Sequence, residues 1–288
     1  IMTDENKMIN SQNTLVAYLD ILGYRGIIEN ETPEDFYNSI VDTFNYIQGF
    51  IDFLSTDEII KSSTVPTSAL SNAEIAKAFG FKILSDTIII YCDYNDIERI
   101  NKKYFEKVDN EPIGAILFLN MVSSFVLEFI ARTGYLLRGS ICLGKFYTNT
   151  FGSCLLKGEF VFSEAFVRGY DLEQLAIHPR ILVDEALYDL LKSKLESESD
   201  TFLFESAIKQ DKDGELYFDF YENLRDQDAD IKQYRLVNIT KQINNMLTVK
   251  QDDKRVWKKW YWFKEYHNEK IKSFAKSENQ DLSELLIN

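Results

Sequence analysis

Two stretches decide how this chain reads: residues 14–20, TLVAYLD, and residues 81–91, FKILSDTIIIY. In the first, apolar and β-branched residues run unbroken into Asp20, the pattern of a strand buried on both faces. In the second, two short apolar runs are separated only by Ser85 and Asp86, which predicts a hairpin with Asp86 at its tip. Two aspartates that each end a buried strand of one sheet would lie side by side on its edge. Each would sit among apolar residues, where an unpaired charge is costly.

The elements around these stretches follow from local signals. Gly23 and Gly26 mark a loop after the first strand. Thr32-Pro33-Glu34-Asp35 predicts a helix start, with a capping hydroxyl, proline in the first turn and acids at the positive end of the dipole, and the helix extends to about residue 54. Residues 55–73 read as a surface excursion and the polar stretch 93–111 as a loop. A helix over 112–132 ends at Gly134. A strand over 135–143 carries Arg138 and Gly139; Gly144 then precedes a second strand at 145–148. Next come a helix at 163–175, a strand at 180–183, a helix at 184–195 capped by Asp184, and a hairpin of 201–208 with 215–221 around Asp213-Gly214. Beyond residue 228 the pattern is helical over 231–247 and 250–275, the last segment basic and aromatic.

The order strand, helix, hairpin, helix, strand is that of an α+β, ferredoxin-like βαββαβ palm with a C-terminal helical extension. The expected division is a disordered tail at 1–12, a catalytic domain at 13–226 and a helical region at 227–288. Residues 1–12 are polar and acidic and lack the basic-then-apolar layout of a secretory signal. The apolar run 113–131 is interrupted by Asn120, two serines and Glu128, and reads as a buried amphipathic helix rather than a membrane span.

Composition narrows the function. The 288 residues carry a net charge of −14, which opposes non-specific nucleic-acid binding while leaving room for a locally positive nucleotide pocket. Three cysteines, Cys92, Cys142 and Cys154, lack metal-ligand spacing, and their odd number argues against a disulfide framework, in keeping with a reducing cytoplasm. Only two histidines are present, His178 and His267, which leaves little for zinc or triad chemistry. Trp257, Trp260, Tyr261 and Lys264 follow helical spacing and read as a packed face in preference to a base-stacking platform.

The chemistry therefore rests on Asp20 and Asp86. Paired carboxylates supply hard oxygen ligands for one or two Mg²⁺ or Mn²⁺ ions, with the backbone of Ile21 adding a carbonyl. Backbone amides at Leu22, and onward through Gly23 and Tyr24, would face phosphate.

On these residues the chain resembles the class III nucleotidyl cyclases. VAYLDILGYRGII resembles their metal-binding opening strand, and KILSDTIII their metal hairpin, with Ser85 where glycine is usual. LLRGSICLGKFY resembles the Arg-x-Gly-Ile strand, FVFSEAFVRGYDLEQLAIHPRILVD the helix and strand that follow, and KQDKDGELYFDFY the late hairpin. The segments keep the family's order over roughly residues 14–222. The resemblance implies a homodimer with active sites at the subunit interface, converting a nucleoside triphosphate to a 3′,5′-cyclic monophosphate and pyrophosphate with two metal ions. Asp20 and Asp86 fall on its metal positions. Lys82 falls where the family reads the base, a lysine being the adenylyl-like choice; an edge-strand surface lysine reads the same way. Lys209 or Lys212 falls near a phosphate-binding lysine, although a solvated turn lysine is the more ordinary reading of either. Arg138 competes between phosphate binding and a structural ion pair.

One departure is plain. The family's transition-state Asn and Arg are not matched, and alignment back from 180–183 places Val167 and Asp171 there. Arg168, on the same helix, is the candidate replacement as a catalytic guanidinium, or else a surface residue. The overall layout, with Asp-Ile-Leu-Gly and Ser-Asp, also resembles the pyrimidine cyclases of the Pycsar anti-phage systems. Those make cyclic UMP or cyclic CMP for a separate effector. Two other readings stand beside the cyclase: an oligonucleotide-forming enzyme on the same palm, although no Gly-Gly-Asp-Glu-Phe hairpin occurs, and a nucleotide-binding sensor without turnover.

Overall fold

The computed structural model describes residues 9–54, 79–96, 113–152, 157–193, 206–225 and 227–287. Strand β1 (Ile9–Ile21) is followed by helices α1 (Tyr24–Asn30) and α2 (Pro33–Leu54), then the hairpin β2 (Phe79–Leu84) and β3 (Thr87–Asp93). Helix α3 (Ile113–Thr133) leads into β4 (Leu137–Gly152), β5 (Lys157–Ser163), α4 (Glu164–Leu175), β6 (Ile181–Val183) and α5 (Glu185–Ser193). The short pair β7 (Ile208–Gln210) and β8 (Leu216–Phe218) precedes α6 (Ala229–Val249) and α7 (Lys254–Glu278).

The described strands form one sheet in the order β2-β3-β1-β4-β6-β8-β7, with β5 paired to β4. Its first four strands, β2-β3-β1-β4, are mutually antiparallel neighbours, the arrangement expected of a βαββαβ palm. Strand β6 then adds parallel to β4 and carries the β7–β8 hairpin. Strand β1 lies inside the sheet, which is why 14–19 show no alternation: both faces are covered and all six residues are buried.

On one face Leu15, Ala17 and Leu19 pack with Ile88, Ile90 and Ile141 in a core shared with α2, α3, α6 and α7. On the other, Val16, Ile89, Tyr91, Cys142 and Phe146 form a smaller cluster closed by Ala165 of α4. Helix α3 is long and apolar enough to cross a membrane by composition, yet it is buried between α2, α6 and the sheet. It carries almost no polar face, so it is a core helix rather than the amphipathic one expected.

Several boundaries depart from expectation. Strand β1 begins at Ile9, so residues 9–12, read as tail, are paired with β4 at least through Ser11. Gly144 does not break β4, which runs on without interruption to Gly152. The reason is tertiary: a Cβ at Gly144 would lie 3.0 Å from an Arg168 Nη2 and 3.2 Å from the Ala165 backbone nitrogen, so a bare backbone lets α4 sit close. The helices beyond residue 228 are not an appendage, because Leu236, Ile239, Ile243, Trp260, Phe263, Ile271 and Phe274 join the main core. Along α7 the buried face is Trp260, Phe263, Lys264, His267 and Ile271, while Tyr261 is exposed and stacks on Trp257 at 5.0 Å. The excursion at 55–73, nearly all of the loop at 93–111, the first half of the hairpin at 201–208, the end of the 184–195 helix and Cys154 lie outside the described residues. Cys92 and Cys142 are buried and form no disulfide among the described residues.

Candidate active site

The C-terminal end of β1 and the β2–β3 turn are stitched together. Asp20 is paired in register with Thr87 on one side and Arg138 on the other, and the Ile21 amide donates to the Asp86 carbonyl at 2.8 Å. The two aspartates are thus neighbours at one sheet edge, and their charges act on each other. The turn that presents Asp86 has Ser85 at φ +60°, a conformation that favours glycine. Beyond Ile21, the Leu22 amide donates to the Leu136 carbonyl at 2.9 Å, and Gly23 turns the chain into α1 at φ +86°. Half-buried Tyr24 opens that helix.

Arg138 reaches from β4 across this edge. Its guanidinium donates to Asp20 Oδ2 at 3.2 Å and to the Ala176 carbonyl at 3.3 Å, and it forms an ion pair with Glu173 of α4. Next to it, Gly139 is obligatory: a Cβ there would stand 2.1 Å from the Tyr18 carbonyl oxygen. Burial pushes the Asp20 carboxyl above the usual range; Arg138 pulls it back and Asp86 adds to the rise. Glu173 is raised for the same reasons, burial first, opposed by Arg138 and reinforced by Asp20. The ammonium of Lys259, on α7, is pushed down by burial and by Arg138, and Asp20 and Glu173 oppose that shift. The edge is therefore an alternating row of acids and bases, with Glu173 and Lys259 as members that sequence reasoning did not supply. Only the fold joins residues so far apart along the chain.

Arg168 is not part of this row within one subunit. Its Nη2 donates to the Leu143 carbonyl and pairs with Asp184 Oδ2 at 3.3 Å. Leu143 lies five residues along β4 from Arg138, about 17 Å at the rise of an extended strand. Lys82 is half-buried on β2 opposite Ile89, on the same sheet face as Asp20. Lys212 lies in the β7–β8 turn and lines a separate cleft of about 610 Å³ with His178, Arg180, Asp211, Asp213 and Trp262. Arg180 is held there by Asp211 and Asp213. Lys209 is committed to Asp219 at 2.6 Å and to Glu222 at 3.2 Å, a buried network completed by Lys270 and by Tyr266, whose hydroxyl donates to Asp219 at 2.6 Å. That engagement removes Lys209 as a phosphate ligand. His267 is fully buried between Tyr221 at 2.8 Å and Thr240 at 3.0 Å, and burial lowers its pKa to about 4, so it is a neutral core residue.

The donor set fits a hard divalent cation. Two carboxylates are adjacent, and that of Asp86 has no hydrogen bond or ion pair among the described residues. A cation would relieve the burial that raises Asp20. Among the described residues no three His, Cys, Asp or Glu side chains converge, so the ligands would be Asp20, Asp86 and a backbone oxygen such as that of Ile21.

No protein-family profile matches the chain, and no curated protein is similar to it. Among solved structures the chain is similar to the adenylyl cyclase CyaB from P. aeruginosa, at 12% identity over 73% of this chain and 95% of that one, TM-score 0.36. It is similar to the dimeric guanylyl cyclase domain of the RhoGC fusion protein from the fungus Blastocladiella emersonii, at 13% identity over 74% of this chain and 96% of that one, TM-score 0.38. A third likeness, at 10% identity and TM-score 0.38, is to a class III adenylyl cyclase-like ATP-binding protein from Pseudomonas aeruginosa, over 74% of this chain and 40% of that one.

Proposed function

We propose that this chain is a metal-dependent nucleotidyl cyclase, forming a 3′,5′-cyclic nucleotide and pyrophosphate from a nucleoside triphosphate. The observation that carries the reading is the Asp20–Asp86 pair, brought together by the Ile21 amide bonding to Asp86 at the end of a buried strand. When bound there, Mg²⁺ or Mn²⁺, as a pair of ions, supplies charge neutralisation for the phosphates and acidifies the attacking hydroxyl. Asp20 and Asp86 hold the metal. The Leu22 amide, engaged by the Leu136 carbonyl, shapes the turn and leaves Gly23 and Tyr24 to face phosphate, Lys82 reaches the base, and Arg138 orients Asp20 and lies within reach of an anion at the same edge. The class resemblance of residues 14–222 supports the assignment. The motif layout also admits cyclic UMP or cyclic CMP in a Pycsar-like defence with a separate effector, whereas Lys82 is the adenylyl-like choice and speaks against a pyrimidine.

The working unit is a homodimer. Helix α4 leaves Val167, Tyr170 and Leu175 exposed on its outer face, with Ile177 beyond its end and Leu84 at the hairpin turn. Arg168 acts in this reading across the interface, as the partner's guanidinium, since it does not reach Asp20 in its own subunit. The cytoplasm is the compartment in which nucleoside triphosphates are supplied.

The test is incubation of the chain with each of the four nucleoside triphosphates and Mn²⁺. One cyclic mononucleotide is expected, lost in Asp20→Asn with the fold intact by circular dichroism; no cyclic product from any of the four overturns the reading.

A second reading has its own observation. Val167 and Asp171 stand where a transition-state Asn and Arg are expected, and Arg168 is tied to Asp184. A nucleotide-binding sensor without turnover would show thermal stabilisation by nucleotide and no product. A product with two or more bases would instead mark an oligonucleotide-forming enzyme.

A further inference from the structure

Helix α7 lies along the end of the sheet and presents one stripe to it. Lys259 sits close enough to Arg138, Asp20 and Glu173 to feel their charge, Trp262 stacks on His178 at 5.0 Å, and Tyr266 and Lys270 bind Asp219. One turn before Lys259, Arg255 extends the stripe toward the start of the helix. Between these two cations and the β1–α1 turn is a cavity of about 120 Å³, lined by Leu22, Gly23, Leu136, Arg255, Val256, Lys259 and Trp260. At about 30 Å³ per water it holds roughly four waters, or one phosphate-sized anion.

Asp20 and Glu173 act on Lys259 through space, and neither cation is in direct contact with an acid. Neither half-buried Lys259 nor exposed Arg255 has a side-chain hydrogen bond or ion pair among the described residues, whereas the buried cations Lys270, Arg180 and Arg235 are all paired. Lys259 is half-buried, with Arg138 and Arg255 both repelling its charge. A half-buried ammonium repelled by two guanidinium groups and hydrogen-bonded to no acid gains from an anion of two or more charges placed in the cavity between it and Arg255.

We propose that Arg255 and Lys259 of α7 form a clamp for the polyphosphate of the nucleotide, closing it against the turn at Gly23. The clamp is supplied in cis by the last long helix, and it rests on the reading of the Asp20 edge as a nucleotide site. It assigns the C-terminal helices a direct part in binding substrate and in holding pyrophosphate after the bond to the α-phosphate breaks.

Inorganic pyrophosphate, titrated calorimetrically into the full chain without metal, is the probe. Arg255→Gln combined with Lys259→Gln should weaken its binding at least tenfold, and Lys259→Arg should keep most of it. Lys258→Gln, on an exposed position of the same helix, should stay within twofold. Nucleoside triphosphate should follow pyrophosphate, while nucleoside alone is indifferent to every variant. Pyrophosphate affinity within twofold of the unaltered chain in a folded double variant overturns the clamp, as does an unaltered chain that binds no pyrophosphate. A double variant that cyclises with unchanged KM overturns the clamp and leaves the cyclase. A chain whose pyrophosphate binding depends on Lys259 but that forms no cyclic product keeps the clamp and overturns the cyclase.

Discussion

Arg138 holds Asp20 at 3.2 Å while pairing with Glu173, so one guanidinium neutralises two carboxylates contributed by a strand and by the helix packed across it. The same positive charge opposes any cation that Asp20 and Asp86 would bind. Replacing it by Met, which keeps the apolar stem and removes the charge, should raise the apparent affinity for Mn²⁺ about tenfold, roughly 1.4 kcal/mol. Isothermal titration with Mn²⁺ reads this directly; unchanged or weaker binding would show that Arg138 supports the metal site instead of competing with it.

The β2–β3 turn stores a small backbone penalty at Ser85. An L-residue at φ +60° costs about 1 kcal/mol relative to glycine. Ser85→Gly should therefore raise the urea midpoint, with the slope unchanged and the Asp86 presentation preserved. Loss of stability on that substitution would mean the serine hydroxyl contributes more than its backbone costs.

Asp219 anchors α7 to the end of β8. Its carboxylate is fully buried and receives Tyr266, Lys209 and Lys270. Asp219→Ala would leave two ammonium groups converging without their main acid, with only Glu222 remaining, and should cost about 3–5 kcal/mol by chemical unfolding. Because α7 also carries Lys259 and Trp262 to the sheet edge, nucleotide binding should fall with it. A cost below about 1 kcal/mol would show that the network is dispensable.

His267 sets an acid limit. Its folded pKa, lowered to about 4 by burial, lies below the unfolded value near 6.5, so the unfolded chain binds the extra proton. Stability is full above pH 6.5 and declines as pH falls through the window to about 4, by roughly 3 kcal/mol. Urea midpoints measured at pH 7 and pH 4.5 should show this decline in the unaltered chain and a shallower one in His267→Gln. Equal slopes would assign the acid sensitivity elsewhere.

Much of this architecture was legible from local pattern. The 14–20 and 81–91 stretches announced a buried strand and a hairpin because burial on two faces and a two-residue turn each leave a short-range signature. Helix α2 announced itself through Thr32, whose hydroxyl accepts from the Asp35 amide at 3.1 Å. Gly144 misled because a glycine kept for the close approach of α4 looks, in sequence, like a glycine kept for a turn. Arg168 was found, but its engagement with Leu143 and Asp184 depends on how α4 crosses the sheet, and no spacing reports that. Glu173 and Lys259 were invisible for the same reason: each is an ordinary charged residue on an amphipathic helix until Arg138, reached only through the fold, gives it a neighbour.

The position of β1 inside the sheet, with the start of α7 beside its end, makes the acidic edge a product of long-range closure. Asp20 lies at the end of β1 and Lys259 on α7, and the two feel each other's charge only because the closed core brings them together. The edge joins residues more than 200 positions apart, a contact of high sequence separation that forms late in folding. Local structure alone brings neither residue to the other, so the charge pattern of the edge reports closure of the whole core and is lost together with it.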